Sequence, residues 1–260
     1  MRKLHLLVLL FLSSNVVYSQ YLENRKEPVF KVGEELKYKL RYGFVTAAEA
    51  TLSVRNSDLK FNNQSVYHLL AEGRTSGTFD VFHKVRNRYN SYIHPTQLLP
   101  FLYTETIREG NYRRNDKARY HQEEKKVVSN KGTFFGKRSQ LFDIVSAYYF
   151  ARSLDLSEVK QNEKFKMTYF LNDGLADLEI IYIGKERVKT SMGYFNCLKF
   201  NPSIQAGRVF REDSKLYLWI TDDGNRIPVK AQVEILVGTV TMELTSAKGL
   251  KYPLDVTKIK

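Results

Sequence analysis

The sequence predicts an all-β protein, β-rich with one short helix: an antiparallel curled sheet, barrel or half-barrel of about a dozen strands. Three observations carry the prediction. Apolar and polar residues alternate with period two in run after run. Gly, Asn and Pro punctuate the runs at short intervals, and 17 Tyr with 16 Phe supply the bulky side chains that such an interior needs. Curling is expected because a flat sheet of a dozen strands would leave long free edges.

Taken in order, residues 1–20 open with a basic Met-Arg-Lys, pass through an apolar run at 4–12 broken only by His5, and end in small residues at Val17 and Ser19. That order predicts a signal peptide cleaved near Ser19 or Gln20, leaving 21–260 as a single β-barrel-like domain. Nine apolar residues rise only about 13 Å as a helix, too little to cross a membrane. Residues 36–42 (LKYKLRY) alternate without error, placing Leu36, Tyr38, Leu40 and Tyr42 on one strand face. Similar runs follow at 47–54, 66–73, 85–93, 98–107, 112–120 and 125–129. They resume at 165–171, 175–183, 195–200, 215–220, 227–236 and 239–245. Asn172-Asp173-Gly174 and Asp222-Asp223-Gly224-Asn225 carry hairpin chemistry, since Gly and Asn tolerate positive φ. Asp143 as N-cap, with Ile144, Ala147, Tyr148 and Ala151 at helical spacing, predicts a helix of two to three turns through Arg152. Residues 79–84 read as a helical turn, and 150–161 as a joint between two halves.

The search for chemistry returns little. There is no G-x-S-x-G elbow, H-E-x-x-H, phosphate-cradling loop or dinucleotide fingerprint. His68, His83, His94 and His121 do not pair at metal-ligand spacing, and the single Cys197 sits in an alternating strand that packs a small thiol easily. Asp173 is explained by its turn, Asp177 and Glu179 by a solvated strand face, and Trp219 by a core position. No enzyme, metal or cofactor is expected. Charge is the stronger signal: 41 Lys and Arg oppose 28 Asp and Glu, and residues 84–138 hold 13 of the former and 5 of the latter. An exported protein meets no genomic nucleic acid in its ordinary duty, so the basic stretch points to anionic lipid or envelope glycolipid. The candidate ligand-binding residues are Arg86, Arg88, Arg113, Arg114 and Arg119, with Arg86 and Arg88 two apart on one strand face.

Gly33-Glu34-x-Leu36-x-Tyr38-x-Leu40-x-Tyr42-Gly43, followed by Ala47-Ala48-Glu49-Ala50, resembles the opening motif of a bacterial domain-of-unknown-function family of exported, β-rich envelope proteins. Asp143-x-x-Ser146-Ala147-x-Tyr149-x-x-Arg152, Trp219, Asp222-Asp223, Pro228-Val229 and Gly238 extend the similarity over most of the mature chain. The family often has Gly where this chain has Ala48, which bears on a bulge or kink at that strand start. The resemblance implies a barrel-like or half-barrel fold in a Gram-negative envelope, of Bacteroidota type, and implies no catalytic or ligand residues.

The expectation from the sequence is therefore an exported, non-enzymatic protein of the periplasm, in contact with the outer membrane, that binds an amphipathic or anionic envelope component: lipid, lipoprotein or lipopolysaccharide. An apolar hollow would take acyl chains and a basic rim their phosphates. Two alternatives stand beside it: a structural or assembly partner of an outer-membrane protein complex, and a polysaccharide-binding or polysaccharide-acting module.

Overall fold

The computed structural model describes residues 22, 25, 27–171, 173–203, 214–235 and 238–258. The predicted signal peptide lies outside the described residues. Among the described residues, fifteen strands and two helices follow one another as β1 (Glu35–Tyr42), β2 (Val45–Phe61), β3 (Gln64–Thr75), α1 (Gly77–Phe82), β4 (Arg86–Ile93), β5 (Pro100–Glu109), β6 (Tyr112–His121), β7 (Lys126–Ser129), β8 (Gly132–Phe135) and β9 (Leu141–Phe142). Then come α2 (Ile144–Arg152), β10 (Lys164–Leu171), β11 (Gly174–Thr190), β12 (Gly193–Pro202), β13 (Leu216–Thr221), β14 (Pro228–Glu234) and β15 (Thr239–Lys248).

All fifteen strands form one sheet, in the order β8-β7-β6-β5-β4-β3-β2-β1-β15-β14-β13-β12-β11-β10-β9. Each hairpin neighbour pairs antiparallel, as period-two runs joined by short turns dictate. Two pairings are not hairpins. The parallel pair of β9 with β10 ends one edge, and the antiparallel pair of β1 with β15 joins the first strand to the last. Bulges steepen the twist and help the sheet curl. One falls where Leu40 faces Ala48 but Arg41 faces Thr46, so a bulge occupies the strand start singled out in the sequence although Ala48 stands in place of Gly.

Among the described residues, the inside of the curled sheet is packed with side chains. Leu69, Ile93, Phe142, Tyr149, Phe150 and Met167 are nearly fully buried in one core cluster, and Leu36, Tyr38, Phe195, Trp219, Val229 and Leu244 lie in a second. The aromatic residues of these clusters pack the interior. Residues 150–161 carry Leu154 and Leu156 into the first cluster.

Helix α2 plugs the sheet. Asp143 accepts from the amides of Val145 (2.9 Å) and Ser146 (2.8 Å), while Ser146 Oγ accepts from the Asp143 amide (3.0 Å), completing a capping box. Its buried face is rotated from the predicted stripe: Ile144 is exposed, whereas Val145, Ser146, Ala147, Tyr149, Phe150 and Arg152 are buried. A helix sunk among strands buries more than one stripe, and a buried Arg is invisible to a search for apolar periodicity.

Beneath it lies the best-enclosed ion pair among the described residues. Arg152 Nη1 and Nη2 donate to Glu34 Oε1 (2.6 Å) and Oε2 (3.0 Å), and Nη2 also donates to the Asn225 carbonyl (3.0 Å). Phe30 and Tyr149 hold the guanidinium at 5.7 and 5.2 Å. Glu34, Tyr149, Arg152 and the 222–225 turn, far apart in the chain, meet here.

Beyond the predicted runs, β8 and β9 are short edge strands of four and two residues, too brief to show alternation. In the turn after β13 the left-handed residue is Arg226 (φ 50°). Asp223 Oδ1 accepts from the amides of Asn225 and Arg226 and pins that conformation.

Candidate functional site

Strands that alternate must carry their polar residues to one face, and the register of β1 to β5 stacks those residues into two rows. Lys39 faces Glu49, Glu49 faces Arg74 and Arg74 faces Arg86. One step along the strands, Lys37 faces Thr51, Thr51 faces Glu72, Glu72 faces Arg88 and Arg88 faces Thr106. The opposite face of the same strands holds Leu36, Tyr38, Leu52 and Leu69, which belong to the core.

An open cavity of about 900 Å³ lies over these rows, lined by six cations (Lys37, Lys39, Arg74, Arg86, Arg88 and Arg108) and two carboxylates (Glu49 and Glu72). The carboxylates engage part of this charge. Arg74 Nη2 lies 2.7 Å from Glu49 Oε2, and Arg88 Nε lies 3.9 Å from Glu72. Arg86 is held from the side, with Nη1 and Nη2 donating to Asp80 of α1 at 2.6 and 2.9 Å. That hydrogen bond, followed by one from Thr75, keeps the Asp80 carboxyl well below the usual carboxylate range. Lys39 and Arg108 form no ion pair among the described residues. The cavity thus pairs fixed cations with free ones and Thr hydroxyls, a set suited to an anion carrying several oxygens.

The five arginines singled out in the sequence do not converge. Arg86 and Arg88 share the cavity, as their spacing predicts. Arg113 folds back on its own hairpin, donating to the carbonyls of Gly110 (2.6 Å) and Tyr112 (2.8 Å). Arg119 is exposed and lines a separate depression of about 800 Å³ with Phe61, Phe101 and His121.

Arg114 points to the inner side of the curl, because Ile107 opposite it shares that face with Glu105. It lies 3.1 Å from Glu105, bonds Asp116, and donates from Nη2 to Asp173 at 3.0 Å. Burial pulls its pKa down, but Asp116, Glu105 and Asp173 outweigh that and raise it, so the charge is committed to structure. Asp173 belongs to the β10–β11 turn, so this arginine bridges the gap between the two arms of the curled sheet. Phe134 of β8 meets Phe170 of β10 at 5.1 Å across the same gap. Sequence reasoning missed Lys37, Lys39, Arg74 and Arg108. The alternation at 36–42 already placed the first two on the polar face, but basic density after residue 84 drew attention away from β1.

The histidines take structural parts. His68 stacks on Tyr92 (4.7 Å) and bonds Asn90 (3.0 Å), and His94 Nδ1 accepts from the amides of Thr96 and Gln97 (both 3.2 Å). Cys197 is buried, and burial, followed by the nearby carboxylates of Asp223, Glu186 and Asp222, pushes its thiol up to about 12. Asp177 accepts from Thr168 and Glu179 from Lys164, as on a solvated face. Trp219 is buried, with Lys199 and Lys230 over its ring at 4.9 and 5.1 Å. Among the described residues no group of three or more His, Cys, Asp or Glu could hold a metal ion.

One curled, mostly antiparallel sheet, its two end arms bridged by side chains where strand pairing stops, defines a β-barrel-like protein. A solved β-barrel-like protein of domain of unknown function DUF1849 from Brucella abortus superposes on it with a TM-score of 0.55 at 11% identity, covering 84% of this chain and 98% of its own. The family model described as "Protein of unknown function (DUF3108)" matches residues 37–245, and the chain belongs to that family. A second structure, from Bacteroides fragilis and described as an exported candidate with a YmcC-like fold, covers 85% of this chain and 99% of its own at 9% identity; its TM-score of 0.30 carries no argument. No curated protein matches the sequence.

Proposed function

We propose that this DUF3108 protein is exported and, without catalysing a reaction, holds the anionic head of an amphipathic envelope component in the cavity over β1 to β5. Lipid, lipoprotein and lipopolysaccharide share that chemistry. The carrying observation is six cations against two carboxylates around one 900 Å³ cavity. The basic leader followed by an apolar run at residues 1–20 supports export into the periplasm. The packed core shifts the reading away from a swallowed acyl chain. The head group binds on the polar face, and the chains stay outside it.

The test is native mass spectrometry of protein purified gently from its own envelope, followed by titration with short-chain phosphatidylglycerol and with lipid A at two salt concentrations. Arg88→Glu with Arg108→Glu is expected to weaken binding by at least tenfold, since charge-assisted hydrogen bonds contribute roughly 1.5–3 kcal/mol each. Binding that is unchanged in this variant and indifferent to salt would discard the proposal.

A further inference from the structure

In a meander, alternate turns fall at the same end of the sheet. The β1–β2 turn, α1 and the β5–β6 turn therefore share one end, tied by Ser76 N to Ala47 O (3.1 Å) and Gly110 N to Lys84 O (2.8 Å). That end presents large apolar side chains to water. Phe44 at the β1–β2 tip is 105% exposed, Val81 84% and Phe82 83%, with Val45 and Tyr112 beside them at about half. Helix α1 buries none of its own residues. A short helix with no buried face and two nearly naked apolar side chains is not explained by packing.

Cations surround these tips: Arg41 next to the β1–β2 turn, Lys84 after α1 and Arg113 after the β5–β6 turn. Of the carboxylates at this end, Asp80 and Asp173 are held by Arg86 and Arg114, while Glu109 accepts from Asn87 Nδ2 at 2.7 Å and Glu234 is exposed, neither in an ion pair among the described residues. Apolar tips beside basic side chains that form no ion pair among the described residues match the layering of an acidic bilayer, apolar within and anionic at the surface.

We propose that this end is a membrane-docking edge: Phe44, Val81 and Phe82 enter the apolar boundary of a bilayer while Arg41, Lys84 and Arg113 lie among acidic phospholipid head groups. The inference goes beyond the head-group cavity, because the tips lie outside it and act on a lipid surface, not on one bound molecule.

Flotation of the purified protein with vesicles of phosphatidylcholine containing phosphatidylglycerol, against phosphatidylcholine alone, tests it. The wild type is expected to float with the acidic vesicles. Phe44→Ser with Phe82→Ser should lower the partition coefficient about tenfold for each ring removed, and Lys84→Gln with Arg113→Gln about fivefold for each cation lost. Phe82→Trp should show a blue-shifted indole emission only with acidic vesicles. Lys37→Ala with Arg88→Ala, which empties the cavity of two cations, should still float; this separates the docking edge from the cavity. No flotation of the wild type, or a doubly substituted Phe44 and Phe82 variant that floats undiminished, overturns the proposal. So does loss of a crosslinked envelope protein in that variant without any vesicle binding, which would assign the edge to a protein partner.

Discussion

Breaking the Glu34–Arg152 pair should be the most damaging polar substitution in the protein. The two side chains are 0% and 2% exposed, joined by two hydrogen bonds, and the guanidinium also serves a carbonyl of the 222–227 turn. Replacing Arg152 by Met leaves a buried carboxyl group with neither water nor counter-charge. Removing one member of such a pair costs about 3–5 kcal/mol, a large share of the roughly 5–15 kcal/mol that stabilises a folded domain. Replacing both, Glu34→Met with Arg152→Met, removes the stranded charge, so the double variant should lose at least ~2 kcal/mol less than the two single losses combined. Urea unfolding followed by fluorescence measures all four species, because Trp219 is the only tryptophan and is buried. Single variants within about 1 kcal/mol of wild type, or a strictly additive double variant, would refute the reasoning.

Burial raises the Asp143 carboxyl to about 6 against the hydrogen bonds from Ser91 and Ser146, so the folded chain takes up a proton at higher pH than the unfolded chain, whose value is near 3.8. Stability should therefore rise as pH falls from about 6 to 4, by at most roughly 3 kcal/mol, and Asp143→Asn should flatten that slope in urea titrations. Cys197, 1% exposed with a thiol near 12, should resist a thiol-reactive dye at pH 8 until the protein unfolds, and rapid native labelling would contradict its burial. Gly193 has φ +139°, and a Cβ there would lie 2.5 Å from the Thr257 carbonyl oxygen, so Gly193→Ala should lower Tm by roughly 4–8 °C and free the C-terminal segment to proteases.

Most of the sheet was legible because period two survives in exposed strands: the 36–42 run, the β10–β11 turn at Asp173 and the Asp143 cap follow from local chemistry alone. The candidate site was legible only in part. Arg86 and Arg88 are two apart on one strand, so their shared direction is a local fact. Arg113, Arg114 and Arg119 are equally basic in sequence, yet one caps its own turn, one spans the gap in the barrel and one faces another depression. Their fates depend on which distant group lies opposite, and Asp173 is 59 residues from Arg114. The Glu34–Arg152 pair, 118 residues apart, is beyond any local pattern for the same reason.

The pairing of β1 with β15 has a consequence for how the chain is made. Nearly every other partnership in the sheet is between strands consecutive in the chain, so the protein can assemble hairpin by hairpin as it emerges. β1 is the exception: its second edge must wait for Lys248, the last residue of its partner, while roughly two hundred residues are still being synthesised. Throughout that interval an amphipathic strand, with Leu and Tyr along one face, stands half-paired and open to the wrong neighbour. A chain stopped before β15 should consequently aggregate although most of its hairpins can form, and the final strand serves as the clasp that makes the nascent chain safe.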